Sequence, residues 1–218
     1  MKQELQNKLY EKYPKIFQQK DLPMTQTAMC WGISCGDGWF NIIDTLCGHL
    51  QYLVDHPHEE IAMYQRWIEK EKLENKPAEV VEGINGSWTK MSSEEKIVEY
   101  EARIKEYKKK IIPQLEAAQV KEKYGSLRFY LSEYPSEPEA DAKVTAYINF
   151  AESISHVTCE DCGKPGDQRG SHWVQTLCES CEEERSNQWA KAKEESMQLK
   201  LPFPESSDTK RNRNLKER

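Results

Sequence analysis

Apolar residues recur at intervals of three and four along four segments of this chain, a spacing that places them on one face of an α-helix. The segments are residues 1–20, Phe40 to Val54, Ile97 to Ile111 and Val144 to Ile154. The third segment has a heptad-like repeat and is ended by Pro113. The pattern therefore predicts four amphipathic helices.

A different pattern occupies the segment KEKYGSLRFYLSEY, where apolar and polar residues alternate. Leu127, Phe129 and Leu131 fall on one side of an extended chain, and Arg128 and Tyr130 fall on the other. Such alternation is typical of a half-buried strand. Together with the helical segments, it predicts an α+β fold with helices around a small antiparallel sheet.

The chain is strongly charged, yet its composition is that of a folded protein. Charged residues make up 31% of it and the mean hydropathy is −0.88, but six Trp, ten Tyr and five Phe supply apolar surface that disordered chains lack. The 37 acidic residues outnumber the 31 basic ones, for a net charge of −6. This balance argues against duplex nucleic acid as a partner.

The hydropathy pattern also predicts the compartment. No apolar run approaches the roughly 20 residues that span a bilayer, and the N-terminal segment lacks the apolar region of a signal peptide. Seven cysteines, an odd number, fit a reducing compartment with a metal site and free thiols better than a disulfide framework. We therefore expect a cytoplasmic protein with no membrane contact.

Two C-x2-C pairs, separated by fifteen residues, form the most specific motif in the chain: Cys159, Cys162, Cys178 and Cys181. Four thiolates satisfy tetrahedral Zn(II), and each short spacer lets one turn direct both sulfurs at one ion. Four protein ligands leave no coordination position for a reacting water, so we expect a structural zinc. The order of turn, strand and helix around the cysteines predicts a C-terminal treble-clef-like zinc module.

These features divide the chain into three predicted parts. Residues 1–154 form the α+β main body, in which the more polar residues 55–93 are an insert. The zinc module covers residues 155–195, and residues 196–218 form an extended tail with a basic end.

The stretch CWGISCGDGWF, residues 30–40, carries several candidate roles. A second metal site made of Cys30, Cys35, Cys47 and His49 has spacings unlike a zinc knuckle, and no histidine is placed beside Cys35 to activate it as a nucleophile. We interpret its cysteines as buried thiols. Asp37 stands at the N-cap position of the following helix. No catalytic residue is predicted.

A ligand pocket is the remaining interpretation of this stretch. Its glycines expose backbone N–H groups and its tryptophans offer flat faces, while the strand segment supplies basic and aromatic side chains. A plain turn and an ordinary solvated strand remain alternatives. The predicted ligand-binding residues are Trp31, Asp37, Trp39, Lys123, Tyr124, Arg128 and Tyr130.

The order of YPKIF, CWGISCGDGW, VKEKYGSLRFY and CEDCGKPG…WVQTLCESC resembles a group of uncharacterised small proteins encoded by bacteriophages and prophages. The resemblance implies an accessory protein acting in the cytoplasm of a bacterial host. Proteins in that setting often counter host immunity by sequestering cyclic nucleotide or NAD-derived signals. The group brings no catalytic residues to carry over.

These observations lead to one functional hypothesis and two alternatives. The first is a non-enzymatic binding protein that sequesters a small nucleotide-type immune signal. One alternative is a zinc-containing adaptor that binds a host or phage protein through the helix at 93–112. The other is a treble-clef protein that binds nucleic acid with the help of its basic tail. The sequence leaves open whether the protein is a homo-oligomer.

Overall fold

The computed structural model describes residues 1–83, 86–170 and 173–198, and these form an α+β protein. Its helices are α1 (Gln3–Lys12), α2 (Phe40–Glu74), α3 (Ser93–Lys108), α4 (Pro138–Ser155) and α5 (Glu179–Gln198). Its strands are β1 (Glu79–Gly83), β2 (Gly86–Lys90), β3 (Ala117–Lys123), β4 (Ser126–Leu131), β5 (Asp167–Arg169) and β6 (Gln175–Leu177). Consecutive strands pair as three antiparallel two-stranded sheets. The four helices expected from apolar spacing are confirmed, as is the small antiparallel sheet.

The chain divides into two compact units, Met1–Cys178 and a second that begins at Glu179. In the first unit, the core is built from α1, α2, α4, β3, β4 and the segments that connect them. Its largest fully buried side chains are Leu9, Ile16, Phe17, Met29, Trp39, Ile43, Leu50, Leu115, Val120, Leu127, Phe129 and Val144. Within the second unit, the structure describes α5. The predicted tail lies outside the described residues from position 199 onward.

The sequence predicts a separate C-terminal zinc module, and this prediction is wrong. Cys159, Cys162 and Cys178 belong to the same compact unit as the main body. The physical reason is direct packing, because Trp39 of the core donates a hydrogen bond from its indole Nε1 to the carbonyl of Thr158, at 2.8 Å. The first three cysteines are thus part of the body's own structure.

α2 is longer than the apolar stripe predicted, because it continues through Pro57 to Glu74. A proline inside a helix removes one backbone hydrogen bond, here the one to the carbonyl of Leu53. Packing of α2 against α3 compensates for this lost hydrogen bond. The Tyr64 ring lies 5.8 Å from that of Tyr100 and 6.0 Å from that of Tyr107, measured between centroids.

The β3–β4 hairpin has the alternation expected from its sequence. Leu127 and Phe129 are buried, whereas Arg128 is half-buried and Tyr130 is exposed. Ser34 adds a short parallel bridge to β3: its N–H donates to the carbonyl of Val120 at 2.9 Å, and its own carbonyl accepts from the N–H of Glu122 at 2.9 Å. The hairpin therefore holds the stretch around Ser34 against the core.

Among the described residues, no helix is both long and apolar enough to cross a bilayer.

A buried carboxylate joins α2 to the start of α3. Glu71 is only 8% exposed, and its carboxylate accepts hydrogen bonds from Ser93 Oγ at 2.8 Å and from Lys96 Nζ at 3.0 Å. The Lys96 bond, followed by the Ser93 bond, holds the pKa of Glu71 below its usual value. The ionised carboxylate therefore stabilises the folded state.

Replacing this carboxylate should reveal a pH-dependent contribution to stability. A carboxyl group whose pKa is lowered by folding stabilises the folded protein at pH values above its ordinary pKa, which is about 4.3 for glutamate. This stabilisation is lost as the pH falls through the pKa of the folded state. Glu71→Gln should therefore lower the urea midpoint at neutral pH, and its deficit relative to wild type should shrink at about pH 3.5. Glu69→Gln, at an exposed position of the same helix, is the control. An equal deficit at both pH values would contradict the assignment.

Candidate functional site

The four cysteines of the two C-x2-C pairs lie together in the structure. Their Sγ atoms all fall within 4.8 Å of one another, and those of Cys162 and Cys178 are 3.6 Å apart. In a tetrahedral Zn(II) site with Zn–S bonds of about 2.3 Å, neighbouring sulfurs are about 3.8 Å apart. The cluster therefore has the ligand type and the dimensions needed to hold one metal ion.

A tight turn at Cys159–Gly163 brings the first pair together. The N–H of Gly163 donates to the carbonyl of Cys159 at 2.9 Å, and the N–H of Cys159 donates to the carbonyl of Lys164 at 2.7 Å. Gly163 has a φ of +76°, a left-handed conformation that glycine adopts without a steric cost.

The second pair is brought to the first by the short β5–β6 hairpin. The N–H of Glu160 donates to the carbonyl of Thr176 in β6 at 2.8 Å. Cys178 follows two residues later, and Cys181 lies in the first turn of α5. Backbone hydrogen bonding of the turn to β6 thus sets the position of Cys178 relative to Cys159.

The stretch containing Gly36 and Gly38 is the surface on which the cysteine turn packs. Gly36 N–H donates to the Glu160 carboxylate at 2.9 Å, and Gly38 N–H donates to the Glu160 carbonyl at 2.7 Å. A Cβ at Gly38 would lie 2.8 Å from the backbone nitrogen of Cys162 and closer still to two other backbone atoms of the turn. Only glycine permits this approach. The motif GDGW is therefore the surface on which the turn carrying Cys159 and Cys162 packs.

The packing role of Gly36 and Gly38 is not predicted by local sequence patterns, because the turn that they contact is more than a hundred residues away in the chain. The glycines were assigned to a ligand pocket, although a pair of glycines flanking one residue is also the signal of close backbone approach. Asp37, between them, does not cap α2 as expected, since Trp39 occupies the N-cap position. Asp37 instead accepts a hydrogen bond from the Lys2 N–H at 2.7 Å.

The charge state of Asp37 follows from this contact. Partial burial of its carboxyl opposes ionisation, but hydrogen bonds from the backbone and side chain of Lys2 outweigh it and lower the pKa. The Lys2 ammonium lies 3.2 Å from the carboxylate. Asp37 therefore ties α1 to the stretch that receives the cysteine turn.

Two of the three remaining cysteines are buried thiols. Burial raises the pKa of Cys35 to about 12 and that of Cys47 well above its usual value. Neither is a thiolate at neutral pH, so neither has the properties of a nucleophile. The prediction of buried thiols is confirmed for these two, while Cys30 is half-buried and its Sγ donates to the carbonyl of Thr27 at 3.2 Å.

The two tryptophans of the predicted pocket have opposite environments. Trp39 is completely buried, and its ring has no face open to solvent. Trp31 is 68% exposed and lines a groove together with residues of α1 and the turn at Gln18–Asp21. The residues lining that groove do not include those predicted on the β3–β4 hairpin.

The predicted hairpin residues are placed as follows. Tyr124 is exposed at the turn with the Lys123 ammonium 5.4 Å from its ring centroid. Arg128 forms an ion pair with Glu152 at 3.3 Å, and Lys121 lies over Tyr130 at 5.8 Å. The hairpin thus carries basic and aromatic side chains, and several of them form ion pairs or cation–π contacts with neighbouring side chains.

A separate cavity of about 400 Å³ lies between α2, the end of α3 and the start of α4. Tyrosine and histidine rings form part of its wall, and three lysines surround it. No local motif predicts this cavity, because its lining residues come from three helices and their neighbouring segments.

Comparison with protein families, curated proteins and solved structures finds no match to this chain. Interpretation of its sites therefore depends on the chemistry and geometry of the residues themselves.

Adding one methyl group at Gly38 should disturb the turn that carries Cys159 and Cys162. The new Cβ would overlap backbone atoms that cannot rotate away, so Gly38→Ala should lower the free energy of unfolding by about 1–3 kcal/mol and speed zinc loss to a chelator. Denaturant unfolding and a colorimetric chelator assay measure the two effects.

Gly48→Ala is the matched control for this substitution. Its Cβ would meet a side-chain atom, Tyr13 Oη at 3.2 Å, which can shift by a few tenths of an ångström. This variant should retain the zinc-release rate of the wild type. A Gly38→Ala protein as stable as Gly48→Ala would contradict the packing role of Gly38.

Proposed function

We propose that this chain is a zinc-binding protein in which one Zn(II), held by Cys159, Cys162, Cys178 and Cys181, has a structural role. The single observation that carries the proposal is the convergence of the four sulfurs to within 4.8 Å. Four soft thiolate ligands in a cluster of this size favour Zn(II) over the hard cations, which prefer oxygen. Four protein ligands also leave no open position for a reacting water, which supports a structural role over a catalytic one.

The fold of the metal centre is proposed to be treble-clef-like. Support comes from the order of its elements: the turn at Cys159–Gly163, the β5–β6 hairpin, and α5, which begins immediately after Cys178. The metal would hold the turn in the conformation that the Gly36–Gly38 surface accepts. Zinc binding and packing of the body would therefore stabilise one another.

Removing one ligand tests the zinc proposal. Cys178→Ser should abolish stoichiometric zinc, measured by elemental analysis of protein purified without added chelator, and should lower the melting temperature of the body. The physical reason is that the free energy of metal binding contributes to folding when the unfolded chain lacks the site.

Cys30→Ser is the matched control, because the serine hydroxyl can keep the hydrogen bond that Cys30 donates to Thr27. It should retain one equivalent of zinc and melt close to wild type. A full equivalent of zinc and unchanged melting in Cys178→Ser would refute the assignment.

We also propose that the body is a non-enzymatic protein that captures a small nucleotide-type ligand. The observation that favours it is the cavity between α2, α3 and α4, whose volume of about 400 Å³ lies within the range of small-molecule sites. Aromatic rings and lysines are the groups that recognise a base and a phosphate. The resemblance to phage and prophage proteins suggests sequestration of an immune signal in a bacterial cytoplasm as its biological setting.

The two alternative functions receive less support. The apolar stripe of α3 that an adaptor would use packs against α2 through Tyr100 and Tyr107, so it is not a free surface. The basic end of the tail, residues 208–218, lies outside the described residues. Both alternatives stay predictions.

A retention experiment tests ligand capture. The zinc-loaded protein is incubated with cyclic di- and trinucleotides and ADP-ribose derivatives, separated from free ligand, and heated to release what it holds. Intact ligand recovered in proportion to protein is the expected result, with samples carried through without protein as the control. Cleaved products would indicate an enzyme, and no retention of any ligand would refute capture.

A further inference from the structure

Two rings on one face of α2 form a ready stacking surface in the cavity wall. The rings of Tyr52 and His56 are stacked, with centroids 4.6 Å apart and an interplanar angle of 16°. The edge of this stack is closed by Tyr107 of α3, whose ring is nearly perpendicular to that of His56 at 5.8 Å. Tyr52 is 54% exposed. A third planar ring can therefore extend the stack from the cavity side.

One lysine at the cavity is placed to bind an anion. Three lysines and two glutamates line the cavity, and two of the lysines are held in ion pairs with carboxylates. Lys143 is paired with Glu139 at 2.7 Å and Lys109 with Glu106 at 2.8 Å. Lys110 makes no ion pair with any described carboxylate, and its ammonium lies over the Tyr107 ring, 4.9 Å from the centroid.

The first turn of α4 adds backbone donors at the same place. Glu137 is its N-cap residue but caps no N–H with its side chain, and Pro138 stands in the first turn. Both Glu137 and Ala140 line the cavity. Uncapped N–H groups and the helix dipole both favour an anionic oxygen at this end of the helix.

We infer that this cavity binds a planar heteroaromatic ring that carries an anionic group, the chemistry of a nucleoside phosphate. The ring stacks on Tyr52 and His56, and the anionic group is bound by Lys110 and the first turn of α4. The inference rests on the proposed capture function and moves its site from the residues predicted in the sequence to the helical cavity.

The ring-binding and anion-binding parts of the site are tested with three probes: AMP, adenosine and inorganic phosphate. Each probe is titrated calorimetrically into the zinc-loaded full chain. AMP should bind more tightly than either fragment. Lys110→Gln should weaken AMP roughly tenfold and leave adenosine unchanged, since it removes one charge-assisted contact. Tyr52→Leu should weaken AMP and adenosine alike by roughly tenfold, since it removes the stacking ring.

Lys123→Gln, at the end of β3, tests the location predicted from the sequence, and this variant should bind AMP as wild type does if the helical cavity is the site. Loss of AMP binding in Lys123→Gln but not in Lys110→Gln would overturn the location and leave the capture function standing. Failure of wild type to bind AMP at millimolar concentration would overturn the ligand class. The retention experiment with other nucleotides then decides the capture function separately.

Discussion

Close backbone contact between Gly38 and the Cys159–Gly163 turn is the constraint on which the rest of the structure depends. The hydrogen bond from Gly38 to Glu160, at 2.7 Å, requires that no side chain intervene. The neighbouring Trp39 then places the largest buried side chain in the core and donates to Thr158. The turn that carries Cys159 and Cys162 and the hydrophobic core are thus joined through two adjacent residues.

α2 extends from the surface that receives the cysteine turn to the wall of the cavity. It begins directly after Trp39, beside the surface that receives the cysteine turn, and it carries Tyr52 and His56 in the wall of the cavity. Tyr52 is thirteen positions after Trp39, which corresponds to a rise of about 20 Å along the helix. The same helix that is anchored by the turn therefore presents the stacking rings.

Local sequence patterns predict those features of the fold and of the cysteine site that are determined by residues close together in the chain. The stripe from Phe40 to Val54, the alternation at Leu127 to Leu131 and the four cysteines each have a period or spacing with a direct structural cause. The use of Gly36 and Gly38 depends on a partner more than a hundred residues away, and the cavity depends on three helices that pack together. The apolar stripe ends at Val54, whereas α2 continues through Pro57 and packs against α3.

The separation along the sequence between the contacting segments also affects when the protein can fold during its synthesis. Gly36 and Glu160 are 124 residues apart, and Trp39 and Thr158 are 119 apart. A nascent chain emerging from the ribosome therefore carries an incomplete core until its last third has been synthesised. Until then, the Gly36–Trp39 stretch is open to solvent and to chaperones. Completion of folding is thus a late event in synthesis, and it coincides with the synthesis of the cysteine cluster.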